Sequence, residues 1–294
     1  MGNLDELEKC FKRGVPLVGL SAPDQVEALS QLAELPMFKE SYLLSWDVLQ
    51  GVLPLNQGGK ERWEEVLSVT GASPDSFQGT AGTAALFQVW LNDYRVAKEQ
   101  EREFYFQGVV LVLKGFNFYG DDPSVQAGLL ALRNVLSSTS GLIILLDNRV
   151  SLSGQLSQDV YAISLPLPSL EEVKTILKEA ALGGIEWQDD GTPSPETAFL
   201  REIENTPEFQ ASVDSLLGLS PFLVEQTAAL SLSLKGLDLG QVQKKKKDAV
   251  NQVEGLTWLE PQEGLSGVKG LDNVSDYLLS LLHGESPYRV IVFT

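Results

Sequence analysis

With 294 residues, 43% of them hydrophobic and 21% charged, the chain has the composition of a globular protein with one sizeable core and room for a smaller second unit. Its 22 basic against 40 acidic residues give a net charge of −18, which repels polyanions on average, so nucleic acid is not an expected partner without clustered cations. A single cysteine, Cys10, and a single histidine, His283, exclude a disulfide framework and Cys- or His-rich metal centres, and no apolar run reaches the roughly 18 residues of a membrane span.

The amino terminus is polar and acidic, with no signal-peptide pattern, and Glu6 stands where myristoylation favours Ser or Thr. A cytoplasmic, reducing setting is therefore expected. Asp5 to Lys12 reads as a short amphipathic helix. Val15-Pro-Leu-Val-Gly-Leu20 has strand length and leads through Ser21-Ala-Pro23 into a helical stretch, Asp24 to Leu35. A second strand is expected over Ser41 to Trp46, a long helix over Ala84 to Glu101, and a third strand over Val109 to Leu113. The helix Pro123 to Ser137 and the strands Leu142 to Leu146 and Val160 to Leu165 continue the alternation. Strands alternating with helices predict βαβ units and a largely parallel sheet covered on both faces. The unbroken apolar runs at Val109 and Leu142 fit strands buried on both sides.

After Pro168 the strands stop. Helices are expected at Leu170 to Leu182, Val213 to Ala229 and Leu239 to Val253, with an acidic, turn-rich loop from Gly183 to Pro195. The run Lys244 to Lys247 falls on the last of these helices, where Leu239, Val242, Ala249, Val250 and Val253 supply the apolar stripe and leave the lysines on a solvated face. The tail, Glu254 to Thr294, carries a Gly-rich turn, a helix from Asp272 to Leu282 and a strand from Tyr288. His283, at the end of that helix and before Gly284, suits the C-terminal dipole better than catalysis.

Chain order and a pair of prolines carry a resemblance. Leu142-Ile-Ile-Leu-Leu-Asp-Asn-Arg149 resembles the sensor-1 strand of AAA+ ATPases. Asp159-Val-Tyr-Ala-Ile-Ser-Leu-Pro-Leu-Pro168 followed by Leu170-Glu-Glu-Val-Lys-Thr-Ile-Leu177 resembles the crossing from their core to their helical lid. Leu17 to Leu29, Leu113-Lys-Gly-Phe-Asn-Phe-Tyr119, Asp121-Asp-Pro123 and Gly264 to Val274 are similar to the amino-terminal half of an AAA+ class found in cyanobacteria, plastids and some phages, in which a degenerate module precedes an active one. The resemblance implies an α/β, parallel-sheet, P-loop-NTPase-like core at 1–168, an all-helical lid at 169–253, and at 254–294 a linker with the start of a possible second module.

The departures from that pattern bear on function. A working phosphate loop wraps phosphates with backbone N–H groups and neutralises them with a lysine. Leu20-Ser-Ala-Pro-Asp-Gln-Val-Glu27 offers no glycine pair and no lysine, and Asp24 and Glu27 would repel a triphosphate. Asp24 reads instead as a helix N-cap. The strand Val109 to Leu113 is followed by Lys114, Gly115, Phe116 and Asn117, where the family has magnesium-organising and water-activating acids. Asp121 and Asp122, before Pro123, read as a helix start. The degenerate nucleotide-site positions are then Ser21, Asp24, Gln25, Lys114, Asn117 and Asn148, with no catalytic residue, metal ligand or cofactor expected.

Phe116, Phe118 and Tyr119 lie just past a strand's C-terminal end and read equally as a contact patch or a core plug. Arg133 and Arg149 are candidates for an arginine finger or a subunit contact, or plain surface charges. The preferred reading is a non-catalytic AAA+-like scaffold that self-associates or supports an adjacent active AAA+ module through protein contacts. The alternatives are an active AAA+ ATPase with an unconventional phosphate loop, using ATP and magnesium, and an unrelated α/β protein-interaction domain.

Overall fold

The computed structural model describes residues 4–154, 156–185, 188, 192–194, 197–233 and 236–251, together with Asn273, Asp276, Tyr277 and Ser280. The chain divides into two compact units, Met1–Val242 and Gln243–Thr294. The predicted strand from Tyr288, most of the helix Asp272 to Leu282, and His283 lie outside the described residues.

In chain order the first unit forms α1 (Leu4–Lys12), β1 (Leu17–Ser21), α2 (Gln25–Glu34), α3 (Pro36–Lys39), β2 (Tyr42–Asp47), β3 (Gly51–Pro54), α4 (Gln57–Thr70) and α5 (Thr80–Gln100). There follow β4 (Val109–Lys114), α6 (Pro123–Thr139), β5 (Leu142–Asp147), α7 (Leu156–Asp159) and β6 (Tyr161–Ser164). Then come α8 (Leu170–Gly183), α9 (Pro207–Leu216), α10 (Pro221–Ser231) and a two-residue hairpin, β7 (Leu232–Ser233) with β8 (Gly236–Leu237). The helix α11 (Leu239–Asn251) begins in the first unit and ends in the second.

The fold is mixed α/β. Six strands make one sheet in the order β3-β2-β4-β5-β1-β6, and every pairing is parallel except that of β2 with β3. The apolar runs are buried on both faces, as their composition predicts, and alternate residues go to different clusters. Leu17, Leu111, Leu113, Ile143 and Leu145 join α5 and α6 through Leu86, Trp90, Leu129 and Leu132. Val18, Leu20, Val110, Val112, Ile144 and Leu146 join α2 and α3 through Ala28, Leu32 and Phe38. A buried side chain of this kind is worth about 1.5–3 kcal/mol over an exposed one, so these two layers hold the sheet in its frame.

The connections locate the functional end. From β1 the chain runs along the α2–α3 face, past β5 and β4, to β2. From β5 it runs along the opposite face, through α7, to β6 on the far side of β1. The neighbours β1 and β5 therefore send their connections to opposite faces. Open α/β sheets bind ligands outside the carboxyl ends of strands at such a switch point.

Beyond Pro168 the unit is helical. Ser169 starts α8 with a capping box: its hydroxyl accepts from the Glu172 amide at 3.4 Å, and its own amide donates to the Glu172 carboxylate at 2.7 Å. Those bonds hold the Glu172 carboxyl below the usual carboxylate value. The single helix expected over Val213 to Ala229 is two, α9 and α10, because Leu217-Gly-Leu-Ser220 intervenes. There Gly218 takes a φ of +90° and Pro221 opens the next helix. Among the described residues no helix is long and apolar enough to cross a membrane.

Candidate functional site

The carboxyl ends of β1, β5 and β4 meet at the switch point, and their side chains spend their polar atoms on one another. Asp147, the last residue of β5 and only 7% exposed, is the centre. Its Oδ1 accepts from its neighbour's amide, Asn148 N–H, at 2.7 Å, and its Oδ2 from Asn117 N–H at 2.9 Å. The Asn117 side chain clamps the loop after β5, donating to the Arg149 carbonyl at 2.7 Å and accepting from Ser151 N–H at 2.8 Å. Ser21 closes the same loop from β1, its hydroxyl accepting from Val150 N–H at 3.0 Å. Gln25, in the first turn of α2, bridges two strand ends: it accepts from Gly115 N–H at 3.2 Å and donates to Asn148 Oδ1 at 3.4 Å.

At the neighbouring strand ends Lys114 faces Asp47, Nζ to Oδ2 3.3 Å, while Asp47 Oδ1 accepts from the amides of Leu49 and Gln50 at 2.9 and 2.8 Å. The lysine thus ties β4 to the β2–β3 turn. Phe116 and Tyr119 turn inward as a plug. Tyr119 meets Trp46 edge-on at 4.8 Å and Phe116 at 5.7 Å, and donates its hydroxyl to the Lys114 carbonyl at 3.1 Å. Burial first, and the Asp147 and Asp47 carboxylates second, raise the Tyr119 phenol far above its ordinary value. Gly120 is needed here, because a Cβ at that position would lie 2.5 Å from the Phe116 ring. Phe118 is the exception among the three aromatics, 87% exposed on the turn between them.

The turn after β1 carries the N-terminus of α2. Its amides, which in an anion site point at phosphate, are taken by the chain itself: Asp24 Oδ1 accepts from Val26 N–H at 2.9 Å and from Glu27 N–H at 3.1 Å. Pro23 supplies no N–H at all. Asp122 likewise caps α6, accepting from Ser124 N–H at 2.7 Å ahead of Pro123, and Asp121 accepts from the Ser153 hydroxyl.

Of the residues singled out in the sequence, Ser21, Gln25, Asn117 and Asn148 converge with the Arg149 backbone on one hydrogen-bonded crest. Lys114 adjoins it through Tyr119, and Asp24 caps the helix beside it. Arg149 and Asn148 are exposed. Arg133 stands apart, its guanidinium paired with Asp159 so that α6 is held to α7. Two residues of this site were not singled out, Asp147 and Asp47. Each is the final residue of a strand, directly after an apolar stretch, a signal that marks the strand end but not which polar residue there turns inward. Among the described residues no group of three or more His, Cys, Asp or Glu side chains is arranged to hold a metal ion.

No protein-family model matches the chain, and no curated protein matches it. Solved structures similar to it include C. elegans PCH-2, at a TM-score of 0.35 and 14% identity over 80% of this chain and 61% of that one. Domain III of the Thermotoga maritima replication initiation protein DnaA is similar at a TM-score of 0.25 and 15% identity, over 76% of this chain and 89% of that one. The chain therefore spans about three-fifths of the PCH-2 chain. Neither likeness says what this chain binds.

Proposed function

We propose that this chain is a non-catalytic AAA+-like module, akin to the degenerate amino-terminal modules of the cyanobacterial, plastid and phage class, that works by assembling with copies of itself or with an active AAA+ module. One observation carries the reading: at the switch point, where an ATPase would cradle phosphates, the first amides of α2 are bonded to the Asp24 carboxylate. A triphosphate would have to displace that carboxylate and then lie against it, with no lysine in the turn to offset the charge. The crest beside it supports the same conclusion, since Gln25, Asn117 and Asp147 are engaged in holding loops together.

The assembly surface we assign is the part of the crest that is not engaged. Phe118 is exposed, its neighbour Asn117 is bonded to the Arg149 carbonyl, and the Arg149 guanidinium has no carboxylate partner among the described residues. An exposed aromatic beside an exposed arginine is the composition that anchors protein interfaces. Its setting is the cytoplasm, in keeping with a lone, buried Cys10. Light scattering over a concentration series, with and without magnesium ATP, tests the proposal. A mass that rises with concentration and ignores nucleotide supports it. A monomer at every concentration removes self-association, and assembly only with nucleotide removes the non-catalytic reading.

A further inference from the structure

A cleft of about 1360 Å³ opens between α2, α8 and α10. It is larger than the roughly 300–1,000 Å³ of small-molecule sites. Its walls are helix faces, as the spacing shows: Glu27, Gln31 and Glu34 along α2, and Glu172, Ile176 and Glu179 along α8. Asp24 and Glu225 bring the lining carboxylates to six, and no lysine or arginine lines the cleft among the described residues. The lysines of α8 are spent elsewhere, Lys174 on Glu171 and Lys178 on Glu204.

Three of the six acids have local duties: Asp24 caps α2, Glu27 accepts from Gln31, and Glu172 closes the capping box of α8. Glu34, Glu179 and Glu225 have none, and each is exposed with no cation beside it among the described residues. Between the acids the surface is apolar: Leu35, Leu165 and Leu200 contribute, together with Phe222, 54% exposed. A concave surface lined by one sign of charge focuses its potential and draws in the opposite charge. Alkyl stems ending in cations satisfy both parts of such a wall at once.

We propose that this cleft is a docking groove for a lysine- or arginine-rich, leucine-bearing segment of a partner polypeptide. The charge selects the cations, the apolar stripes select leucines and lysine stems, and the volume selects a peptide over a single amine. This goes beyond the assembly reading and uses a different surface from the Phe118 crest.

The test is fluorescence anisotropy of a fluorescein-labelled peptide of Lys-Lys-Leu repeats, titrated with the full chain. Saturable binding that weakens with salt is expected. The triple variant Glu34→Gln, Glu179→Gln, Glu225→Gln is expected to weaken it about tenfold, since three exposed ion pairs, each worth about twofold in affinity, combine to roughly that ratio. The triple Glu61→Gln, Glu64→Gln, Glu99→Gln, equal in charge but on α4 and α5, is expected to leave it within about twofold. No saturable binding, equal weakening by both triples, or spermine competing as strongly as the peptide would each overturn the proposal. Because the readout is peptide binding, its failure is separate from any outcome with nucleotide or on assembly.

Discussion

Replacing Asp147 by Asn keeps the shape of the crest and removes one acceptor. The two Asp147 oxygens accept separately, from Asn148 N–H at 2.7 Å and Asn117 N–H at 2.9 Å, in a position 7% exposed. An asparagine can satisfy one amide with its oxygen, but its NH₂ then faces the other N–H. A buried donor left unsatisfied costs about 1–3 kcal/mol, and the bond that survives loses its charge assistance, so a loss of about 2–3 kcal/mol is expected. At about 2–4 °C per kcal/mol for chains of 150–250 residues, the melting midpoint should fall by about 4–12 °C. Thermal unfolding followed by tryptophan fluorescence reads this directly, because Trp46 packs on Tyr119 beneath the crest. Asp122→Asn is the matched control: asparagine caps a helix as well as aspartate, so that variant should melt within about 1 °C of the parent. If Asp147→Asn also melts with the parent, the carboxylate is not committed to the loops. The view of a crest closed by its own side chains then fails, and Asp147 becomes free for a ligand.

Three further outcomes follow from the same structure. Tyr119 should stay protonated well above the ordinary phenol value, and ultraviolet titration should show a phenol that resists alkali until unfolding and is missing in Tyr119→Phe. With its folded value raised above the ordinary 10.0, its contribution to stability is complete below pH 10.0 and is lost as pH rises beyond it, since the unfolded chain then sheds a proton the fold retains. Gly59→Ala should destabilise by at least about 2 kcal/mol, because the added Cβ would sit 2.2 Å from the Leu43 carbonyl oxygen and neither backbone can yield cheaply; its melting midpoint against the parent is the check. Phe118→Ser should leave stability within about 0.5 kcal/mol, the side chain being exposed, yet reduce the mass seen by light scattering at high concentration; an unchanged mass would remove Phe118 from the assembly surface.

The sheet could be read from the sequence where burial leaves a one-dimensional trace. The runs at Val109 and Leu142 are apolar at every position because both of their faces are covered, and they begin where expected, ending one residue later, at Lys114 and Asp147. Asp24 was equally legible, since an acid after a proline and before an apolar-periodic stretch has few other uses. The β3 strand was not: four residues ending in a proline carry no periodicity, and the hairpin depends on Asp47 accepting from two amides of its own turn. Nor was α4, whose first turn holds Gly58 and Gly59, poor helix formers, the second of which the close approach to Leu43 requires. The crest was half legible. Ser21, Gln25, Asn117 and Asn148 stand out because they fall where the AAA+ resemblance puts a nucleotide site, whereas Asp147 does not, since nothing in Leu-Leu-Asp-Asn says which of two polar residues turns inward. The aromatics divided for a similar reason, Phe116 and Tyr119 turning into the core and Phe118 out of it.

On the proposed reading, the place of the phosphates at the head of α2 is filled by the chain's own Asp24. Calorimetric titration of the full chain with magnesium ATP tests it most directly. No saturable heat is expected, whereas saturable binding at micromolar concentration would show that the turn from Leu20 to Glu27 opens to admit nucleotide and would overturn the reading.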